Sequence, residues 1–184
     1  MNGRRRLPRS FFARDAATVA RELIGSNLQI GGAGGVIIET EAYAPSDPAS
    51  HSFGGPTRRN ASMFGPPGHA YVYRVYGLHW CLNFVCSGAS GVLIRALEPV
   101  VGLEIMAERR RTADNRRLCA GPGRLCQALG VDARLDGSPL DQRPFDLRQG
   151  DPAASVTAGP RIGITKGIET PWRFWLEGSP FVSG

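Results

Sequence analysis

Lysine is nearly missing from this 184-residue sequence: Lys166 is the only one, and the rest of its 22 basic residues are arginine. Chemistry that runs through an amine and a Schiff base therefore has only Lys166 and the amino terminus to use. Cysteine is sparse as well. Cys81, Cys86, Cys119 and Cys126 form no CxxC pair and no histidine stands at finger spacing, which argues against a structural zinc site. The same absence disfavours a zinc deaminase, which needs H-x-E with C-x-x-C; in a cytosolic chain four such cysteines are most simply buried thiols. No apolar run is long enough to span a bilayer. The basic start, Met1 to Arg9, runs into a polar amphipathic stretch where a secretory signal would carry an apolar core. Phosphate-cradling glycine loops, metal-ligand spacing and a Ser/His/Asp constellation are also missing, which disfavours most nucleotide-processing hydrolases.

What is present is a net charge of +6, which favours a polyanionic partner. The arginine skew suits phosphate recognition, although a GC-rich genome would produce it equally well. Arginines cluster at Arg4 to Arg6, Arg58-Arg59, Arg109 to Arg111 and Arg116-Arg117. Charge runs are usually solvated faces, and Arg58-Arg59, inside a long loop, are the best candidates for contact with a phosphate backbone.

The length suits one domain with a real core. Asp15 is placed to cap a helix from Ala16 to Ile24 that Gly25 stops. A strand opens at Val36, and the Pro-, Gly-, Ser- and Asn-rich segment Ala44 to Gly68 reads as a long ordered loop. An aromatic hairpin over Ala70 to Asn83 and a strand from Val92 to Leu97 follow. Pro99 is expected to open a helix ending at Arg111, and Pro122 another that Gly130 closes. Asp141 to Ala158 reads as loop, and Arg161 to Thr165 and Trp172 to Leu176 as strands. The order predicts an α+β fold: one compact domain over residues 1–184, with a curved, mostly antiparallel sheet, peripheral helices and a protruding hairpin. Residues 1–10 are expected to form a disordered basic arm.

The stretch from Gly35 to Asn83 concentrates the chemistry. Val36-Ile37-Ile38-Glu39-Thr40-Glu41-Ala42-Tyr43 starts as a β-branched apolar run and ends polar, as a strand does on leaving a core. Tyr71, Tyr73, Tyr76, His79, Trp80 and Asn83 follow within a hairpin. A carboxylate near stackable rings in a basic protein points to a nucleobase or another flat, electron-poor ligand. A glutamate at a strand end is usually solvated or salt-bridged, and strand tyrosines are usually core, so these residues alone leave both readings open.

The blocks Glu39-Thr40-Glu41-Ala42-Tyr43, His51-Ser52, Arg59-Asn60, Met63-Phe64, Pro67-Gly68, Tyr71-Val72-Tyr73 and Tyr76-Gly77 resemble the alkyladenine (3-methylpurine) DNA glycosylases. Leu93-Ile94-Arg95-Ala96-Leu97-Glu98-Pro99, Gly121 to Leu129 and Gly178-Ser179-Pro180 extend the resemblance over nearly the whole chain, apart from about Ala133 to Thr157. The resemblance implies a DNA N-glycosylase of base excision repair that flips a 3-alkylated purine out of the helix and hydrolyses its glycosidic bond. It implies that Glu41 polarises the attacking water and stabilises positive charge at C1′, that Arg95 helps to hold that water, and that the carbonyl around Ile162 completes the water site. Glu39 is left a structural role. Tyr43, His51 and Tyr73 would form the base pocket, Asn83 would crowd the amino group of guanine, and Tyr76 would fill the space left by the flipped base. With one lysine outside these blocks, a water-using, monofunctional enzyme is expected. No metal and no organic cofactor is implied. The expected partner is double-stranded DNA carrying damaged purines, with no membrane, a monomeric state and a cytoplasmic, nucleoid-associated location. The competing reading is a non-catalytic nucleic-acid binding module, against which Glu41 and Arg95 together argue.

Overall fold

The computed structural model describes residues 4–150 and 155–183. Helices α1 (Arg9–Phe12) and α2 (Ala16–Leu23) lead into strand β1 (Asn27–Ile30) and the long β2 (Ala33–Tyr43). A loop with one 3₁₀ turn (Ala61–Phe64) precedes the hairpin of β3 (Ala70–Val75) and β4 (His79–Cys86), and then β5 (Ser90–Val101). Helices α3 (Leu103–Arg110), α4 (Asn115–Leu118) and α5 (Pro122–Leu129) follow, and β6 (Phe145–Arg148), β7 (Val156–Gly159) and β8 (Arg173–Leu176) complete the order.

Every strand pair is antiparallel, and the main path runs β3-β4-β5-β2-β1-β6. β2 is the centre of the curled sheet. β5 lies along one of its sides, while the other is divided between β1, paired at Ala33 to Val36, and β8, paired at Glu39 to Glu41. This is the α+β class, with peripheral helices and a hairpin, that the order of elements predicted.

Alternation along β2 sends Thr40 and Ala42 to one face and Glu39 and Glu41 to the other. The Thr40 hydroxyl donates to the Ala20 carbonyl of α2 at 2.9 Å, which fixes the helix side. There Val19, Ala20 and Leu23 of α2 join Ile37, Phe84, Ile94 and Leu97 of the sheet and Leu125 and Leu129 of α5 in one buried core. Burying each large aliphatic or aromatic chain contributes about 1.5–3 kcal/mol. Helix α2 starts as predicted, with the Asp15 carboxylate accepting the Thr18 N–H at 2.8 Å, a cap worth about 1 kcal/mol.

Four expectations are corrected. The basic arm is not disordered over residues 4–10: Arg6 bridges Arg148, the Leu7 N–H donates to the Leu147 carbonyl at 3.0 Å, and Leu7 is buried. Residues 1–3 of that arm lie outside the described residues. Pro99 sits inside β5, not at a helix start. It pairs with Gly35 at a register shift, where a missing N–H is tolerated and where any Cβ on residue 35 would collide with the Glu98 carbonyl. The Asp141 to Ala158 stretch contains β6, whose Phe145 and Leu147 alternate into the core beside β1, and the start of β7; residues 151–154 lie outside the described residues. Arg161 to Thr165 is no strand, because Arg161 is drawn into a buried ion pair and Gly163 turns the chain at φ 75°.

Candidate active site

Two adjacent bulges build the floor of the site. Ile37 pairs with Leu97, Glu39 with Ala96 and Thr40 with Ile94, so Ile38 on β2 and Arg95 on β5 are the extra residues. A bulge re-aims side chains, and here Arg95 is turned onto the face that carries both glutamates. Its Nε donates to Glu39 Oε1 at 2.9 Å, its Nη1 to Glu41 Oε2 at 3.1 Å and its Nη2 to Ser183 Oγ at 3.1 Å. Burial works against the Arg95 charge, but Glu41 and Glu39 outweigh it and lift the guanidinium above its ordinary value.

Glu41 is buried and lies against the floor of a cleft. Besides Arg95, its Oε2 accepts the Tyr43 hydroxyl at 2.8 Å and its Oε1 the Ile162 N–H at 2.7 Å. The Ile162 backbone thus meets the carboxylate through its N–H; the resemblance had assigned the carbonyl around this residue to the water site. Burial, reinforced by the Glu41 charge and by this hydrogen bond, raises the Tyr43 phenol well above its ordinary value, so it stays a donor.

The cleft above Glu41 holds about 390 Å³, the lower end of the range for small-molecule sites. Tyr43, His51, Tyr73, Asn83, Tyr76 and Arg95 all line it, so it gathers the residues singled out in the sequence for catalysis, for the pocket and for insertion. Tyr71 and Tyr73 stack with centroids 5.4 Å apart, and His51 meets the edge of Tyr73 at 4.4 Å. His51 Nδ1 lies 2.9 Å from the Tyr71 hydroxyl. Burial pushes the Tyr71 phenol up to about 12, with Asp136 adding to it. Burial also lowers the His51 imidazole, helped by the charge of Arg59, so the ring is neutral near pH 7. The Asn83 amide donates to the Tyr71 carbonyl at 3.2 Å, which holds its side chain against the cleft wall. The Cys81 thiol in the same wall is pushed up by burial and stays protonated.

The rim is different. Tyr76 is 88% exposed at the hairpin tip with φ 51°, and Leu78 beside it is 71% exposed. Arg58 and Arg59 are exposed on the loop across the cleft, and Arg59 also lines a neighbouring hollow with His51 and Tyr71. The cluster Arg109 to Arg111 is partly structural: Arg109 donates to the Ala128 carbonyl at 3.0 Å and Arg110 to the Leu118 carbonyl at 3.1 Å. Among the described residues no group of three or more His, Cys, Asp or Glu could hold a metal ion. No helix there is long and apolar enough to cross a membrane.

Several contributors were not singled out in the sequence. Tyr71 carried the right signal, alternation with Tyr73 on one strand. Arg173, Ser183, Arg161 and Asp47 carried none, because their partners lie far off in the chain.

A family profile described as methylpurine-DNA glycosylase (MPG) matches residues 10–180. A protein of Agrobacterium fabrum is 56% identical over 177 residues, which covers 96% of this chain and 92% of the relative. One from Nitrosospira multiformis is 58% identical, covering 94% of this chain and 91% of the relative. A third, from Granulibacter bethesdensis, is 58% identical over 97% of this chain and 87% of its own. All three bear the name "Putative 3-methyladenine DNA glycosylase".

Proposed function

The chain belongs to the methylpurine-DNA glycosylase family, and from that membership and the geometry of the cleft we propose that it excises 3-methyladenine and related alkylated purines from duplex DNA. As a monomer it would bind the duplex through its basic rim and turn the damaged nucleotide into the cleft, with Tyr76 entering the vacated stack. Flipping costs a few kcal/mol, and a side chain in the gap slows the return. A purine alkylated at N3 is cationic, and Tyr43, Tyr73 and His51 offer it ring faces; a cation over one aromatic face gains about 0.5–2 kcal/mol. Asn83, held by the Tyr71 carbonyl, would stand against the exocyclic amino group of guanine.

The observation that carries the reading is the Glu41 carboxylate, set by three donors at the floor of an aromatic cleft. A carboxylate has about four lone-pair directions, so one remains for a water. That water attacks C1′ and gives its proton to Glu41. The C1′–N9 bond breaks with its electron pair passing into the purine, which neutralises the alkylated ring, so no acid is needed at the leaving group. In the transition state positive charge grows at the sugar, and a carboxylate fixed beforehand stabilises it without reorganisation. The products are the free base and an abasic site.

The test is base release from duplexes carrying 3-methyladenine, hypoxanthine or ethenoadenine, with wild type and Glu41→Gln side by side. Release by wild type together with binding but almost no release by the variant supports the scheme. Undiminished release by the variant removes Glu41 from the chemistry.

A further inference from the structure

We propose that Arg161 is a positioning residue for the reaction: its buried ion pair with Asp47 fixes the backbone whose Ile162 N–H holds Glu41. The Arg161 side chain has no exposed surface and Asp47 only 4%. Its Nη1 donates to Asp47 Oδ2 and, at 3.0 Å, to the Ala42 carbonyl. Its Nη2 donates to Asp47 Oδ1 at 3.1 Å and to the Gly167 carbonyl at 3.0 Å. The guanidinium lies over the Tyr43 ring at 4.8 Å and over the Trp172 ring at 5.6 Å. It does not line the cleft, so it acts through its neighbours.

Three segments meet on this one side chain: the end of β2, the loop after it, and the loop from 160 to 171. Both donors to Glu41 that come from outside β5 are tied to it. Tyr43, whose hydroxyl bonds Oε2, has the guanidinium against its ring, and Ile162, whose N–H bonds Oε1, is the next residue in the chain. Replacing a buried ion pair by apolar residues is often neutral or stabilising, so such a pair is weak evidence for stability. What it supplies is orientation, because a planar fork with four fixed acceptors has one pose. The loop packs closely on the pair: a Cβ on residue 167 would meet Asp47 Oδ1 at 2.7 Å.

The inference rests on Glu41 being the carboxylate that activates water, and the experiment separates the two. Single-turnover release from a lesion duplex is measured for wild type, Glu41→Gln, Arg161→Met, Arg161→Lys and the Glu41→Gln/Arg161→Met pair. Affinity for a duplex carrying a stable abasic-site analogue and the melting temperature are measured beside it. Arg161→Met is expected to slow release roughly tenfold to a hundredfold, the effect of misplacing one donor to a charged group. Analogue affinity should stay within about twofold, Arg161→Lys should recover part of the rate, and Arg161→Met should add nothing in the Glu41→Gln background. A rate within about threefold of wild type in folded Arg161→Met overturns the inference. So does an equal loss of rate and of analogue affinity, which marks general damage. If Arg161→Met does not melt cooperatively, Asp47→Asn is judged by the same criteria. Wild-type release by Glu41→Gln would overturn the reading of Glu41 instead, whatever Arg161 does.

Discussion

Glu39 and Glu41 stand on one face of β2, neither has exposed surface, and both accept from the guanidinium of Arg95. Each takes three donors. Glu39 Oε1 takes Arg95 at 2.9 Å and Arg173 at 2.6 Å, and its Oε2 takes the Ser183 N–H at 2.7 Å. Glu41 takes Arg95, the Tyr43 hydroxyl and the Ile162 N–H. The difference is in charge and in what lies above. Glu39 has two arginines and lines no part of the cleft, whereas Glu41 shares one arginine, completes its shell with neutral donors and faces the cleft. A carboxylate held between two cations has little negative potential left to offer. One that shares a single cation keeps some, aimed at the place where positive charge would develop. The same residue type, two positions apart, holds the segment at Ser183 in one case and faces the cleft in the other, where the proposed scheme has it act.

The sharpest way to break that comparison is to neutralise each carboxylate in turn. Glu41→Gln should lower base release by about 10³-fold or more, the combined loss of base catalysis and charge stabilisation. Its urea midpoint should move little, because Arg95 keeps Glu39. Glu39→Gln should do the reverse. It leaves Arg173 and half of Arg95 without an anion in a buried place, which costs about 3 kcal/mol or more of stability. At a temperature where the variant is folded, release should fall far less than in Glu41→Gln. Equal losses of release in both variants would mean that the two carboxylates act as one unit.

Tyr43→Phe sharpens the comparison at its neutral donor. The ring and its contact with Arg161 remain, and only the O–H aimed at Glu41 goes. Release should fall about tenfold, as expected for one hydrogen bond to a charged group, with affinity for lesion DNA nearly unchanged. A fall in affinity as large as the fall in rate would place the hydroxyl in base recognition.

How much of this was legible in the chain follows from the range of each interaction. Glu39, Glu41 and Tyr43 share one strand, and Tyr71, Tyr73 and Asn83 one hairpin, so local alternation and the family motif found most of the cleft. The helix from Ala16 was legible through Asp15 and the apolar spacing behind it. Pro99 misled because a bulge opposite Gly35, a property of the pair of strands, is what accommodates it. β6 was missed because four residues with two apolar positions make no pattern until β1 lies alongside. Arg161 and Asp47 are 114 positions apart, and Arg95 and Ser183 are 88 apart. Nothing in either neighbourhood announces the partner, and only the folded chain brings them together.

The smallest expected effect concerns His51, which stands in the wall of the cleft against Tyr73. Burial, and then the charge of Arg59, depresses the His51 imidazole below its ordinary value of 6.5. A group depressed on folding contributes stability that is present above its unfolded value and is lost as pH falls through the folded one. The melting temperature should therefore decline between about pH 7 and pH 5, and less so in His51→Gln. The local chemistry agrees. The Tyr71 phenol, pushed up to about 12, remains protonated and shares a hydrogen bond with His51 Nδ1 at 2.9 Å, whose direction depends on the imidazole tautomer. Protonating His51 makes Nδ1 a donor, so the Tyr71 hydroxyl must then accept from it and turn its own O–H elsewhere. Arg59→Gln removes one of the two causes of depression and brings the folded value nearer the unfolded one, which should flatten the acid slope without abolishing it. Melting curves of wild type, His51→Gln and Arg59→Gln across that window decide it. Identical slopes in all three would remove His51 from the pH dependence.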